Sequence, residues 1–451
     1  MPTLETWLWD ADCVIRPCTS VCTTPHRGEG KMSKKSKRKR NAHKNQMTFQ
    51  QFIDVTTETW DTYLRTFARL PLELVDGGSL LYPNIALFVQ TDEYFILELF
   101  GSNEVFTGLT VKTHREPNIY KYLYQFAVEE EFNPLFTSGP NLTDAGMIDL
   151  VIGGSDSIEK FESRFKFLQY YKQGSIIRGI DTTGPVFSFR EGLQNFFLSR
   201  CILLNSLDNA YRAKHINYLE IVSPSFNIRQ YRTTLEKRLF QPIPNSTNNL
   251  FGIQYVENIN HQSQLLSGQF TNMFLIPKVR ETTIGEFLKT NSHIINKAFD
   301  CQKFAYEPHL EWIEGNEKYP DEKTINPDLM TEREDGFFDI VDLKTIKDES
   351  KSITKGPHKR RRFIDYVGDG IAQLGHYKEY FTYEKNRSHA FSKYGIKVDN
   401  PKLVLVVGSY DNVNAEEVRE ACRAYKEELE IRDYDTINTS YLLNSKGFIT
   451  S

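Results

Sequence analysis

The sequence predicts an α/β protein whose C-terminal part has a mixed central sheet, preceded by an α+β region. The segment Phe337–Leu343 is aromatic and β-branched and follows a polar turn that ends in glycine, which is typical of a strand in a hairpin. Leu403–Val407 is a continuous apolar run that suits a fully buried central strand. Between them, residues 370–381 have helical spacing. This alternation favours helices on both faces of a sheet.

Bulk composition sets the class of protein. The chain has 451 residues, of which 39% are hydrophobic and 25% charged, which predicts a soluble globular protein of about three domains. The net charge is −4, so any affinity for nucleic acid has to come from local basic patches. No apolar run approaches the length of a membrane span, and the first residues lack a secretory pattern. Because cysteines are sparse beyond the leader, we expect a cytoplasmic protein.

Residues 1–46 form a basic leader that we expect to be disordered. The run of Lys and Arg at 34–44 repels itself and stays solvated, either as a solubilising tail or in non-specific contact with DNA phosphates. Met32 is an alternative start of the protein. The candidates for a zinc site are Cys13, Cys18, Cys22 and His26. Their spacing fits no common zinc module, so an unliganded leader is the favoured interpretation.

Residues 47–280 form the predicted α+β N-terminal region, with a break between subdomains near 134–154. Apolar residues from Phe49 to Phe67 recur at helical steps, and the segments 85–89 and 94–100 flank a turn as in a β-hairpin. The other expected elements are helices at 119–131, 161–171, 187–204 and 228–238, strands at 219–223 and 251–256, and a loop at 242–249. No chemical constellation occurs here, so we interpret the region as a sensor, oligomerisation or substrate-gating module.

The predicted C-terminal domain, 281–451, begins after a boundary near Pro277. Thr282 or Thr283 is expected to cap a helix that continues to Phe299. A strand is then expected at 304–313, and a helix at 412–428 follows the buried strand.

Two acidic residues and a lysine in this domain have the spacing of a metal site. Side chains alternate along a strand, so Asp342 and Lys344 point to one side and Asp339 to the other. Asp328, behind Pro327, lies on the partner strand. Crowded carboxylates need a cation, and an all-oxygen site suits Mg²⁺ or Mn²⁺. This arrangement fits phosphodiester hydrolysis by a metal-activated water that the lysine orients or helps to deprotonate.

The C-terminal third also resembles a known family. The pattern just described looks like the PD-(D/E)xK nuclease motif, and Gln373-x-x-x-Tyr377 is similar to the helix that follows it in RecB-like members. With the basic segment 360–363 before that helix and the strand 401–408 after it, residues 281–430 resemble the Shedu family of anti-phage defence nucleases. The resemblance implies a restriction-endonuclease-like fold, metal-dependent cleavage or nicking of DNA, homo-oligomeric assembly, and an N-terminal half that restrains or directs cleavage.

Roles follow for individual residues. The expected catalytic residues are Asp328, Asp342, Lys344 and Gln373. Both aspartates are expected to hold the metal, and an upstream glutamate, Glu311 rather than Glu307, is the candidate third ligand. Gln373 is expected to bind the attacking water or a phosphate. The expected DNA-binding residues are Lys359, Arg360, Arg361, Arg362 and Tyr377, which would contact the backbone without reading sequence.

Alternative interpretations remain open at this stage. Residues 320–323 repeat part of the motif, but they lie in a hydrophilic stretch and are interpreted as a loop. Asp342 and Lys344 are alternatively a surface ion pair on an edge strand, and His376 is interpreted as structural. The alternative functions are a restriction-like or repair nuclease unconnected with phage, or a DNA-binding module that no longer cleaves.

Overall fold

The computed structural model divides the chain into two compact units, Met1–Glu257 and Asn258–Ser451. The residues that it describes are 46–68, 79–124, 175–178, 194–207, 210–240, 250–256, 259–276, 278–315, 317, 321–345, 352–358, 360–410 and 412–445. The predicted leader, the break at 134–154, the 161–171 stripe and the 242–249 loop lie outside them, as does Lys359.

The N-terminal unit contains a six-stranded mixed sheet. Its helices are α1 (Phe49–Phe67), α2 (Ile119–Tyr124) and α3 (Ile228–Phe240), and its strands are β1 (Ser79–Leu81), β2 (Ile85–Gln90), β3 (Phe95–Phe100), β4 (Thr110–Arg115), β5 (Ser175–Arg178), β6 (Asn195–Leu207), β7 (Ala210–Val222) and β8 (Gln254–Val256). The strand order is β4-β2-β3-β7-β6-β5, while β1 pairs separately with β8. The β2–β4 and β5–β6 pairs are parallel, and the other pairs are antiparallel.

Helix α1 confirms the prediction from apolar spacing. Thr48 begins it with a capping box, in which its side chain and that of Gln51 bond each other's backbone amides. Its apolar face packs on the sheet, with the Phe52 ring 5.5 Å from that of Phe88. The hydroxyl groups of Thr56 and Tyr231, on α3, lie 2.9 Å apart. The hairpin of β2 and β3 and helix α3 are also confirmed.

The prediction of a helix at 187–204 is wrong for its described part. Residues from Asn195 onward form β6, which pairs with β7 from Asn195–Val222 to Leu207–Ala210. The apolar residues of this segment fit the spacing of a helix or of a strand, and pairing with the long strand β7 favours the strand. The Asp208-Asn209 dipeptide between the two strands is a hairpin signal that this prediction overlooked.

The C-terminal unit is built on a five-stranded mixed sheet. Its helices are α4 (Ile259–Phe274), α5 (Glu281–Thr290), α6 (His293–Ala298), α7 (Asp365–Tyr380), α8 (Glu384–Tyr394), α9 (Ala415–Cys422) and α10 (Tyr434–Asn444). Its strands are β9 (Phe304–Tyr306), β10 (Leu310–Glu311), β11 (Thr324–Ile325), β12 (Leu329–Glu332), β13 (Phe338–Leu343), β14 (Thr354–Lys355), β15 (Arg362–Phe363), β16 (Leu403–Val406) and β17 (Leu429–Arg432). The order is β17-β16-β13-β12-β9, with parallel pairs β13–β16 and β16–β17 and antiparallel pairs β12–β13 and β12–β9. The expected α/β fold with a mixed central sheet is confirmed at this level.

Strand β13 is central and is buried on both faces. On one face Ile340 joins a core cluster with Leu374 of α7 and Leu405 of β16. On the other face Val341 and Leu343 are also buried. Asp342 shares the face of Ile340 and is the completely buried one of the two aspartates in this strand.

Two element predictions upstream of the motif need correction. The expected helix to Phe299 is two helices, α5 and α6, and Arg280 is the N-cap residue of α5 rather than Thr282 or Thr283. The expected strand at 304–313 is interrupted between β9 and β10, where Glu307 has a φ of 43°. A positive φ breaks the alternation on which a shared face for Glu307 and Glu311 depends.

The division between the units lies at 257/258, whereas the predicted boundary lies at 280/281. Helix α4 accounts for the difference because it packs on α10 within the C-terminal unit. The Phe274 and Tyr434 rings stack 5.4 Å apart, and the Asn438 side chain donates to the Ser267 carbonyl and the Thr271 hydroxyl. The predicted loop at 320–323 is a turn and coil where it is described.

Candidate active site

Asp328 and Asp342 face each other at the carboxyl end of β13. The β12–β13 register pairs Leu329 with Val341, which places Asp328 opposite Asp342 at the next step. Directly opposed residues of antiparallel strands have Cβ atoms about 5 Å apart. Asp328 Oδ2 accepts a 2.7 Å hydrogen bond from the Leu343 amide, so its carboxylate is fixed to the motif strand.

The two carboxylates are costly to ionise together. Burial and the neighbouring Asp342 carboxylate raise the pKa of Asp328 to about 7, although the Leu343 amide and the Lys344 ammonium oppose the shift. Burial also raises the pKa of Asp342, against the attraction of Lys344. Asp342 is completely buried, and its Oδ2 lies 2.7 Å from the Lys344 ammonium. Two crowded carboxylates beside a single ammonium leave negative charge that a bound cation would neutralise.

Lys344 lies between the acids and a glutamine. Its Nζ is 2.7 Å from Asp342 Oδ2, an ion pair without hydrogen-bond geometry, and donates a 3.0 Å hydrogen bond to Gln373 Oε1. The Glu281 carboxylate is 4.0 Å away. Burial disfavours the ammonium, but the surrounding carboxylates outweigh it and raise the pKa of Lys344 above its ordinary value. These carboxylates therefore favour the charged form of Lys344.

Gln373 and Tyr377 form a chain of hydrogen bonds behind the lysine. They lie one turn apart on α7, and Gln373 Nε2 donates to the Tyr377 hydroxyl, which in turn donates to the Asn326 carbonyl at 3.2 Å. Both ends of the Gln373 amide are thus engaged, with its oxygen on Lys344. Gln373 therefore links the Lys344 ammonium to the Tyr377 hydroxyl.

A close approach of α7 to β13 makes this arrangement possible. Gly370 lies where α7 crosses the motif strand. A Cβ on Gly370 would come within 3.0 Å of Leu405 Cδ1 and 3.2 Å of Lys344 Cε. The absent side chain therefore gives the helix room beside the lysine.

Glu281 is the site residue that the sequence interpretation missed. It is the first residue of α5, and its Oε1 accepts hydrogen bonds from the Tyr366 hydroxyl at 2.9 Å and the Thr345 amide at 3.4 Å. It contributes to the raised pKa of both Asp328 and Asp342. An acidic residue at the start of a helix before the motif was the available signal, but prediction placed the helix start later.

Glu311, the expected third ligand, is not brought to this site. It lies on the separate β10–β11 pair, is exposed, and its Oε1 is 3.7 Å from Lys393 Nζ. Glu307 is also exposed and accepts a hydrogen bond from its neighbour Tyr306. Asp339 faces away, as expected, and accepts from the Lys402 amide. His376 pairs with Glu322, which agrees with a structural role.

The basic segment before α7 has two kinds of residue. Arg361 is partly buried, and its Nη2 lies 3.0 Å from Glu417 Oε1. Arg360 and Arg362 are exposed. Of the predicted DNA-binding residues, Arg361 is therefore already engaged within the protein, while these two remain accessible.

The described residues contain neither a larger metal cluster nor a membrane-spanning helix. Across the described ranges, no group of three or more His, Cys, Asp or Glu side chains has the arrangement of a metal site. A pair of carboxylates still fits Mg²⁺, which keeps several waters and binds through one or two carboxylates plus substrate oxygens. No helix in the described part of the chain is both long and apolar enough to cross a membrane.

The fold and site define an α/β domain with a buried pair of acids and a charged lysine at the carboxyl end of a central strand, where open α/β sheets bind their ligands. Residues 278–437 match the family described as Shedu protein SduA, C-terminal. The match lies within the C-terminal unit and supports the resemblance of residues 278–437 to the Shedu family. No curated protein matches the chain.

Proposed function

We propose that the chain is a metal-dependent endonuclease or nickase that hydrolyses DNA phosphodiester bonds in anti-phage defence. The match to the Shedu family supports the defence role. The observation that supports the hydrolytic role is the fully buried Asp342 carboxylate, which faces Asp328 and has the Lys344 ammonium 2.7 Å from its Oδ2. Asp328 and Asp342 would hold Mg²⁺ or Mn²⁺, and Glu281, nearby and partly exposed, is a third candidate ligand.

The bound ion and the individual side chains of the site would have separate roles in the hydrolysis. The bound ion would supply Lewis-acid polarisation of the scissile phosphate and of the attacking water. Lys344 stays protonated and offsets negative charge on the phosphate, while Gln373 and Tyr377 hold its ammonium in place. Exposed Arg360 and Arg362 would contact the DNA backbone. The cytoplasmic location, homo-oligomeric assembly and control of cleavage by the N-terminal region are part of the same proposal.

A plasmid assay tests the proposal. The full chain is incubated with supercoiled plasmid and Mg²⁺ or Mn²⁺, with and without EDTA. We expect nicked or linear product that EDTA prevents and that Lys344→Ala reduces by about a hundredfold or more, since several kcal/mol of charge stabilisation are lost. Glu311→Gln is the matched control because that exposed carboxylate lies outside the site. Product that persists in EDTA would contradict a metal-dependent nuclease.

Metal binding distinguishes a DNA-binding module that does not cleave from an enzyme that lacks its activating signal. In the absence of cleavage, Mn²⁺ titration by calorimetry reports on the acidic pair directly. Binding that Asp342→Asn removes supports the metal site. Failure of the wild-type protein to bind Mn²⁺ would favour the module.

The arginines before α7 give a separate prediction. Arg360→Ala combined with Arg362→Ala should leave the thermal midpoint unchanged, weaken binding of duplex DNA severalfold and reduce the slope of log K against log salt by about two. Arg361→Ala should instead lower the free energy of unfolding by about 1 kcal/mol, because it breaks a partly buried pair with Glu417. Fluorescence anisotropy across a salt series and thermal unfolding measure the two effects. If Arg361→Ala weakened DNA binding and the double variant did not, Arg361 would be the residue that contacts DNA.

A further inference from the structure

A groove of about 710 Å³ lies at the opposite end of β13 from the acidic pair. It is bounded by Phe337 before β13, by the end of α7, by α8 and by residues 396–401. Asp342 lies five positions after Phe337, so the two places are about 17 Å apart along the strand. The groove is therefore distinct from the candidate active site, and its volume is in the range of small-molecule sites.

Two cations of the groove are uncompensated. Arg387 Nη1 donates to the carbonyls of Phe381 and Thr382, which fixes the guanidinium against the end of α7. Among the described residues no carboxylate pairs with Arg387 or with Lys397. Lys378, also in the lining, is already paired with Glu428. A fixed arginine beside a free ammonium is suited to an anion such as a phosphate.

Aromatic rings accompany these cations. Phe391 lines the groove and is 51% exposed, so its ring is accessible to a ligand. The Lys397 Nζ lies 5.2 Å from the centre of that ring. Phe337 adds a second, partly exposed ring. Asp399 is the carboxylate of the lining and leaves the two uncompensated cations in excess.

We propose that this groove binds a nucleotide unit, with its phosphate on Arg387 and Lys397 and its base stacked on Phe391. Cations that hold a phosphate beside an exposed ring that stacks a base are the recurring elements of sites for unpaired nucleotides. The unit is either a free mononucleotide or part of a single strand, since the recognised chemistry is the same. The inference does not depend on the proposed cleavage, because none of these residues belongs to the acidic site.

The test uses the full chain in EDTA, so that strand cleavage does not interfere. Binding of AMP is measured by calorimetry and binding of a labelled short oligothymidylate by anisotropy. Inorganic phosphate serves as the competitor that reports on the phosphate contact alone. Both Phe391→Ala and Lys397→Glu should raise the Kd by about tenfold or more, because each removes a stacking or charge contact. Both positions are exposed, so the variants should fold.

Lys385→Glu is the matched control, since this lysine lies on α8 and is exposed but does not line the groove. It should leave the Kd within about twofold of the wild-type value. AMP binding identifies a free nucleotide as sufficient, whereas binding of the oligonucleotide alone identifies a strand. The proposal is overturned if neither probe binds at millimolar concentration, or if Lys385→Glu weakens binding as much as Lys397→Glu.

Discussion

Asp342→Asn is expected to reduce metal-dependent DNA cleavage by about a thousandfold or more, since metal ions supply several kcal/mol of transition-state stabilisation. The substitution keeps the shape of the side chain and an acceptor for Lys344, but it removes the negative charge that would hold the ion. Asp342 is the most deeply buried acid of the site, and its Oδ2 lies 2.7 Å from the Lys344 ammonium. Cleavage rates at several Mn²⁺ concentrations measure the effect, and excess metal should restore activity only in part.

Two companion variants make this result specific. Asp328→Asn should show a similar loss, because the two aspartates act as one site. Glu311→Gln should retain the wild-type rate, because its carboxylate pairs with Lys393 on another part of the domain. Thermal midpoints show whether each variant is folded. Wild-type cleavage by folded Asp342→Asn would remove this carboxylate from the mechanism.

The local part of the site was predictable from sequence. Alternation along β13 is a property of the strand itself, so it was enough to put Asp342 and Lys344 on one face and Asp339 on the other. Helical spacing similarly put Gln373 and Tyr377 on one face of α7. These inferences need only the type of each element, which strong apolar patterning identifies most reliably.

Partners that are distant in sequence were not predictable. Glu281 precedes Lys344 by more than sixty residues in the sequence and reaches it from α5, and no local pattern specifies that packing. Arg361 looked like part of a solvated basic run, and only the docking of α9 brings Glu417 to it. The error at Glu311 has a different cause, because a single positive φ at Glu307 ended the strand on which the inference depended.

The raised pKa of Asp328 also predicts how the free energy of unfolding depends on pH. The Asp328 carboxyl has a pKa of about 7 in the folded protein, against an ordinary value of 3.8. Between these values the unfolded chain releases its proton while the folded protein retains it, so the free energy of unfolding falls as pH rises from about 4 to about 7. The shift of about three units sets an upper limit of about 4 kcal/mol on this contribution. The destabilisation is complete above pH 7 and absent below pH 4.

Asp328→Asn should therefore stabilise the metal-free protein at pH 8 more than at pH 5, because asparagine cannot ionise but still accepts a hydrogen bond from the Leu343 amide. Thermal unfolding of the full chain in EDTA at the two pH values measures this difference, with Glu311→Gln as the control for general loss of a carboxylate. Adding Mn²⁺ at pH 8 should reduce the difference in stability between Asp328→Asn and the wild-type protein. The metal should stabilise the wild-type protein, since a ligand that binds only the folded state raises its stability. A variant whose advantage is the same at both pH values would show that Asp328 is already ionised in the folded protein at pH 5. The acidic pair would then not need a cation to offset its charge.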